Sequence, residues 1–172
     1  MSFKLIVAVC KNYGIGKNNT LPWNIKEDLK HFSKTTKGNG NNAIVMGRNT
    51  WYSFNGGHLN NRDNLILSTS LSIEKTIENK KTIKSFYNID NLIEFIKTKN
   101  YDDVWIIGGE SIYKKFIELK LINECYITFI DNTYDCDTFF PYELIKDWNC
   151  DEPILLDTNN EFNVYIKKYY KS

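Results

Sequence analysis

The chain has 172 residues, 42% hydrophobic and 15% aromatic, with a formal charge of +1. Such a length and composition specify one packed domain spanning 1–172 and exclude a disordered or fibrous chain. Near-neutral charge leaves no electrostatic footprint for nucleic acid or an anionic membrane.

The opening run "FKLIVAVC" is too short to span a bilayer and precedes no small-residue cleavage site. It reads as the first buried strand of a soluble cytoplasmic protein. A glycine-bearing loop, "GIGKNNTLPW", follows, and then apolar residues at helical spacing. Ile25, Leu29 and Phe32 predict a helix over 25–36, with Asn24 and Glu27 spaced as a capping box.

Asp28 shares the apolar face of that helix. Its neighbours three and four positions away are Asn24, Ile25, His31 and Phe32, so no local Lys or Arg pairs with it. It is placed past the first turn and is not the cap. A carboxylate among apolar groups is costly unless hydrogen-bonded, and burial raises its pKa. Two readings stand: a side chain rolled to the helix edge in water, or an acid awaiting a cationic or amidine-like ligand in an apolar pocket.

"NAIVMG" is a buried strand closed by Gly47, followed by a short helix over 49–54. Of 22 basic residues only Arg48 and Arg62 are arginines. A planar two-pronged donor is what Lys cannot imitate, so the two are read either as sitting where such a donor is needed, with Arg48 able to bind a phosphate, or as retained by chance. "NLILST" and "KTIKSF" are further strands. The helix over 88–98 carries a stripe of Ile89, Leu92, Ile93 and Ile96 that serves the core. "DDVWIIGG" then runs through Gly108 and Gly109 into a helix over 110–119, which is either a simple tight turn or one that brings backbone N–H groups towards phosphate. Two glycine-ended strands and an arginine suggest a phosphorylated dinucleotide. Neither turn is a G-x-G-x-x-G fingerprint or a P-loop.

"NECYITFID" and "EFNVYIKKYY" follow without a helix between them, which predicts an antiparallel hairpin at one sheet edge. The expected architecture is α/β: an open, twisted, mostly parallel sheet with helices on both faces and that C-terminal edge hairpin. Cys10, Cys125, Cys136 and Cys150 form no C-x-x-C pair and only two histidines are present. They read as reduced thiols packed as small hydrophobes, with no metal site expected.

Taken together, "IVAV", "GIGKNNTLPW", "EDLKHF", "VMGRNTW", "WIIGGESIY" and "DTFFP" resemble, in order and over essentially the whole chain, the dihydrofolate reductase family. The resemblance implies reduction of dihydrofolate by NADPH, with antifolates as inhibitors; a monomer is the default at this chain length. It casts Asp28 as the acid gripping the pterin, Thr128 as its hydrogen-bonding support, Trp23 as the holder of a nearby water and Tyr113 as a neighbour of the nicotinamide. Ile6, Leu29, Phe32, Thr50, Phe54, Leu59 and Ile107 would wall the substrate, and Arg62 would clamp its glutamate α-carboxylate. On the cofactor side, Arg48 and Thr69 would lie near the 2′-phosphate, and Ala8, Ile15 and Gly16 near the nicotinamide ribose. Gly47, Asn49, Thr50, Ser68, Gly108, Gly109, Glu110, Ser111 and Ile112 would complete the cofactor's surroundings. A cis peptide between Gly108 and Gly109 is also implied, with loop 11–24 closing over the nicotinamide.

Three residues depart from the family pattern. His58 stands where a proline is usual, which predicts a looser loop before Arg62. Glu110 replaces a small residue, so its carboxylate is expected to point to solvent. Asn49 replaces a second basic residue, which predicts a weaker preference for NADPH over NADH. Rival readings are the reductase half of riboflavin biosynthesis, which would not need Asp28 or Arg62, and a non-catalytic nucleotide-binding module.

Overall fold

Side-chain alternation along the strands decides the layering. The computed structural model describes residues 3–55, 57–157 and 161–171. Its elements are β1 (Phe3–Val9), β2 (Gly14–Gly16), α1 (Lys26–Lys37), β3 (Ala43–Gly47), α2 (Arg48–Tyr52), β4 (Asp63–Leu67), β5 (Glu74–Thr76), β6 (Thr82–Phe86), α3 (Ile89–Lys97), β7 (Val104–Gly108), α4 (Glu110–Glu118), β8 (Ile122–Ile130), β9 (Thr138–Phe139), β10 (Asn149–Cys150), β11 (Ile154–Asp157) and β12 (Val164–Tyr170). Successive strand residues point to opposite faces. Leu5, Val7, Val45, Leu65 and Ile106 therefore pack on one side with Leu92 and Ile96 of α3 and Phe116 of α4. Ile6, Ile44, Met46, Ile66, Trp105 and Ile107 pack on the other with Trp51 of α2 and Phe32 of α1. The two-layered helical cover expected from the sequence is present.

The main sheet runs β10-β12-β8-β1-β7-β3-β4-β6-β5, with β11 also paired to β12. From β8 to β6 all neighbours are parallel. Strand β12 is antiparallel to β8 as expected. It is not the edge, however: β10 and β11 pair with its outer side and cover its open hydrogen-bonding groups. Strand β5 closes the opposite end antiparallel to β6. A second, two-stranded sheet joins β2 to β9, so part of loop 11–24 is itself strand.

Helix boundaries differ from expectation by one or two residues, and one difference matters. Helix α1 begins at Lys26 with Ile25 as its N-cap and no side-chain cap. The Asn24–Glu27 capping box does not form, and Asp28 lies within the first turn.

Strand β7 is inserted between β1 and β3, where the chain order reverses. Because all three are parallel, their C-terminal ends (Val9, Gly47 and Gly108) open on the same side of the sheet. Open α/β sheets bind ligands in the crevice such a reversal creates.

Candidate active site

Helix α1 packs against β3 on one face of the sheet and carries Asp28, which is 6% exposed. Of the two readings of this acid, burial prevails. Burial pushes its carboxyl up to about 6, against the opposing effect of a hydrogen bond with the Thr128 side chain. Thr128 is buried on β8, held opposite Ala8 of β1 and Ile166 of β12. No Lys or Arg pairs with Asp28 among the described residues. The negative field of Asp28 also reaches Tyr113, whose phenol is driven far up, chiefly by burial.

Tyr113 is the first-turn residue of α4 that points back under the sheet. Its hydroxyl lies 2.9 Å from the Ile6 carbonyl and 2.8 Å from that of Ile107. Its ring sits where a side chain on Gly108 would be: a Cβ there would lie 3.1 Å from the Tyr113 oxygen, at a φ of +122°. Only glycine meets both conditions. The peptide between Gly108 and Gly109 is cis, as the family resemblance implied.

The residues expected to form an apolar wall come together in part. Ile6, Ile107, Phe32, Phe54 and Leu59 belong to one cluster on the α1 face of the sheet. Leu29 stands apart at 48% exposure, an apolar side chain left uncovered beside Asp28 in the chain. Trp23 is buried against Tyr134, with ring centroids 5.4 Å apart. Its indole Nε1 has no hydrogen-bond partner among the described residues. A buried N–H of this kind wants an acceptor such as water.

Arg62 is 5% exposed, an unusual depth for a guanidinium. Its Nε donates to the Asn60 carbonyl at 2.7 Å and its Nη1 to Thr36 Oγ1 at 2.9 Å. Burial lowers its pKa, and no carboxylate pairs with it among the described residues. Thr36 itself donates to the Phe32 carbonyl at 2.8 Å. This role of Thr36 carries no sequence signal, since it looks like any late helix threonine. Described residues of the preceding loop are tied to their neighbours. His58 Nε2 meets Glu78 Oε1 at 2.9 Å, and the Asn64 side chain both accepts from Leu59 N at 3.0 Å and donates to the Leu59 carbonyl at 2.9 Å.

On the other side of Gly47, Arg48 is exposed and its Nη1 donates to Ser70 Oγ at 2.7 Å. Ser68 Oγ accepts from the backbone N–H groups of Ser70 and Leu71, and Thr69 lies exposed between the two serines. The hydroxyl run "STS" at the end of β4 was the available clue to Ser70, which sequence reasoning passed over. Asn49 and Ser111 are exposed, whereas Gly47 and Ile112 are buried. Helix α4 starts from Gly109 with no side-chain cap, so its first N–H groups remain available. Thr50 lies close by, 3.7 Å from where a Gly109 Cβ would be.

Glu110 is exposed as expected but not free. Its Oε1 accepts from Phe139 N at 2.6 Å, tying the start of α4 to β9 and through it to β2. Asp137 Oδ2 likewise accepts from Asn18 N at 3.0 Å. Ile15 and Gly16 are thus held in a small sheet whose far strand is anchored to α4. Ala8 packs partly buried beside Trp23 and Ile25 at the loop's base.

A crevice at a strand-order reversal, with a buried acid and an uncapped helix start, is the place where an open α/β fold offers a ligand site. A family profile described as dihydrofolate reductase matches residues 2–171. The dihydrofolate reductase of Drosophila melanogaster is 38% identical over 148 residues, covering 82% of this chain and 80% of the fly protein. That of Ureaplasma parvum serovar 3 is 34% identical over 169 residues, 98% of this chain and 96% of its own length. An Arabidopsis thaliana bifunctional dihydrofolate reductase-thymidylate synthase is 33% identical over 150 residues, which is only 26% of that longer protein. This chain belongs to the dihydrofolate reductase family.

Proposed function

We propose that this protein reduces 7,8-dihydrofolate to 5,6,7,8-tetrahydrofolate with NADPH as reductant, in support of thymidylate synthesis. One observation carries the reading: Asp28 and Arg62 are opposite charges, both buried and both without an ionic partner among the described residues. Burying an unpaired charge is costly, and a ligand with a cation-like ring and a carboxylate relieves both. Dihydrofolate has that constitution, with its pterin towards Asp28 and its glutamate towards Arg62.

The residues present fit the cofactor. The free N–H groups opening α4 suit a pyrophosphate. Arg48, with Ser68, Thr69 and Ser70 beside it, suits a terminal phosphate. Ala8, Ile15, Gly16 and Tyr113 would flank the nicotinamide, which when bound supplies the hydride. Asp28 favours a protonated, cation-like pterin, so negative charge does not build up on the ring. Thr128 fixes the orientation of the carboxylate. The unpartnered Trp23 Nε1 would hold a water near Asp28, through which a proton reaches N5 of the pterin. Loop 11–24 would exclude bulk water from the reacting atoms.

The test is purified protein with NADPH and dihydrofolate, followed by the loss of reduced-nicotinamide absorbance. Turnover with dihydrofolate is expected. No turnover with it, alongside reduction of a ribosylated pyrimidine, would overturn the reading.

A further inference from the structure

Cys10 and Cys136, far apart in sequence, bring their sulfurs to 3.9 Å from one another. Both are thiols. They flank Gly14, the first residue of β2: a Cβ on Gly14 would lie 2.3 Å from Cys136 Sγ and 3.1 Å from Cys10 Sγ. The lack of a side chain there is what lets the two sulfurs meet. Backbone hydrogen bonds already hold the two segments together. Cys10 N donates to the Gly14 carbonyl at 3.0 Å, Lys11 N to that of Asn132 at 2.9 Å, Asp137 N to that of Gly16 at 2.9 Å and Phe140 N to that of Tyr13 at 2.8 Å. Bonding distance for a disulfide is about 2.05 Å. The gap is of the size that side-chain rotation closes, with loss of the 2.6 Å hydrogen bond from Cys10 Sγ to Asn12 Oδ1.

We propose that Cys10 and Cys136 are a reversible oxidation site, whose disulfide staples the base of loop 11–24 to the segment leading into β9. Hydrogen peroxide is the oxidant class. The half-exposed Cys136, as thiolate, attacks one peroxide oxygen, breaking the O–O bond to give a sulfenic acid and hydroxide. The Cys10 sulfur then displaces water from that sulfenic acid to form the S–S bond. Overall, two thiols and one peroxide become one disulfide and two waters. Burial, Cys10 and Asp135 push the Cys136 thiol up to about 11, with a hydrogen bond to the Gly16 backbone acting the other way. The site therefore responds to sustained oxidant and not to traces, since the thiolate is scarce at neutral pH.

The bond itself is independent of the proposed reaction. Its effect on turnover rests on that reading, because it pins the segment that must move as ligands exchange. The experiment treats the full chain with hydrogen peroxide, then maps peptides by mass spectrometry before and after a dithiol reductant. A Cys10–Cys136 cross-linked peptide two hydrogens lighter is expected, absent in Cys136→Ser and retained in Cys150→Ser. Oxidised protein should turn over dihydrofolate roughly threefold or more slowly, recovering with the reductant, while Cys136→Ser keeps its rate through the same treatment. Cys10 and Cys136 both remaining free while Cys150 oxidises would overturn the site. A quantitative cross-link with unchanged turnover would overturn the regulatory role. Absence of any reductase activity, with the cross-link still mapped, would count against the proposed reaction and not against the bond.

Discussion

Asp28 concentrates the tension between stability and chemistry. Its folded value of about 6 lies above the ordinary 3.8, because burial outweighs the help of Thr128. A carboxyl raised on folding adds stability that is complete below its unfolded value and lost as pH rises through its folded one. The window is therefore about pH 4 to 6, and two units correspond to roughly 3 kcal/mol at most. Asp28→Asn should make the unliganded protein more stable than wild type at about pH 8, with the gap closing near pH 4. Urea unfolding at both pH values measures it; a gap that does not change with pH would mean the acid is solvated. Turnover at neutral pH should fall at least ~100-fold in the same variant, the lower range for a positioned acid–base group. Lower pH should recover part of that loss as substrate arrives already protonated. At the other end, Arg62→Lys should raise KM for dihydrofolate with kcat nearly intact. The loss is about 2 kcal/mol for a two-pronged charged hydrogen bond remote from the reacting atoms. An unchanged KM would place the substrate's carboxylate elsewhere.

At the scale of elements, the start of α4 does two tasks at once. Its N–H groups face the expected pyrophosphate, while the Glu110 carboxylate reaches sideways to Phe139 N. Glu110→Gln keeps an oxygen for that N–H and removes a negative charge beside the phosphates. It should tighten NADPH binding several-fold, whereas Glu110→Ala, which loosens β9, should also lower kcat. Equal binding by wild type and Glu110→Gln in fluorescence titration would show that solvent screens this charge completely. The end of β3 has a parallel division of labour. Arg48→Lys should narrow the preference for NADPH over NADH, because an ammonium cannot form the guanidinium's fork. Equal losses for both cofactors would make Arg48 a support for Ser70 alone.

For the whole molecule, the continuous apolar runs were legible because parallel strands buried on both faces must be apolar at every position. Val104 to Ile107 and Ala43 to Met46 show it, each sending alternate residues to opposite helical layers. Strands β2 and β9 show no alternation of their own because three and two residues are too few to display a period, and only the resemblance of "DTFFP" pointed to a strand start at β9. Strand β12 reads as an edge from the sequence because β10 and β11 are only two and four residues long, too short to display a strand period. The site divides the same way. Asp28 announces itself as a charge on the wrong face, and Arg62 as a rare arginine. Thr36, Ser70 and the Glu110 tie depend on approach between distant segments, which no local pattern encodes. The same two-layer organisation predicts that Phe116→Ala, a fully buried ring in the α3–α4 layer, costs about 3–5 kcal/mol. KM for dihydrofolate should hardly change, since the proposed substrate site is on the opposite layer; a large rise in KM would show that the two layers are coupled.

The hydrogen bond from Arg62 to Thr36 gives α1 a metric role. Asp28 and Thr36 stand eight residues apart on one rigid helix, so at the usual rise their backbones are separated by ~12 Å. The guanidinium is tethered to the far mark on this gauge and the carboxylate is the near one. Under the proposed function this gauge would measure the length of the ligand: a molecule that ends short of the span would satisfy Asp28 and leave Arg62 without a carboxylate. Ring-only fragments of the substrate should bind equally well to wild type and Arg62→Lys, and only compounds reaching the full distance should tell the two apart.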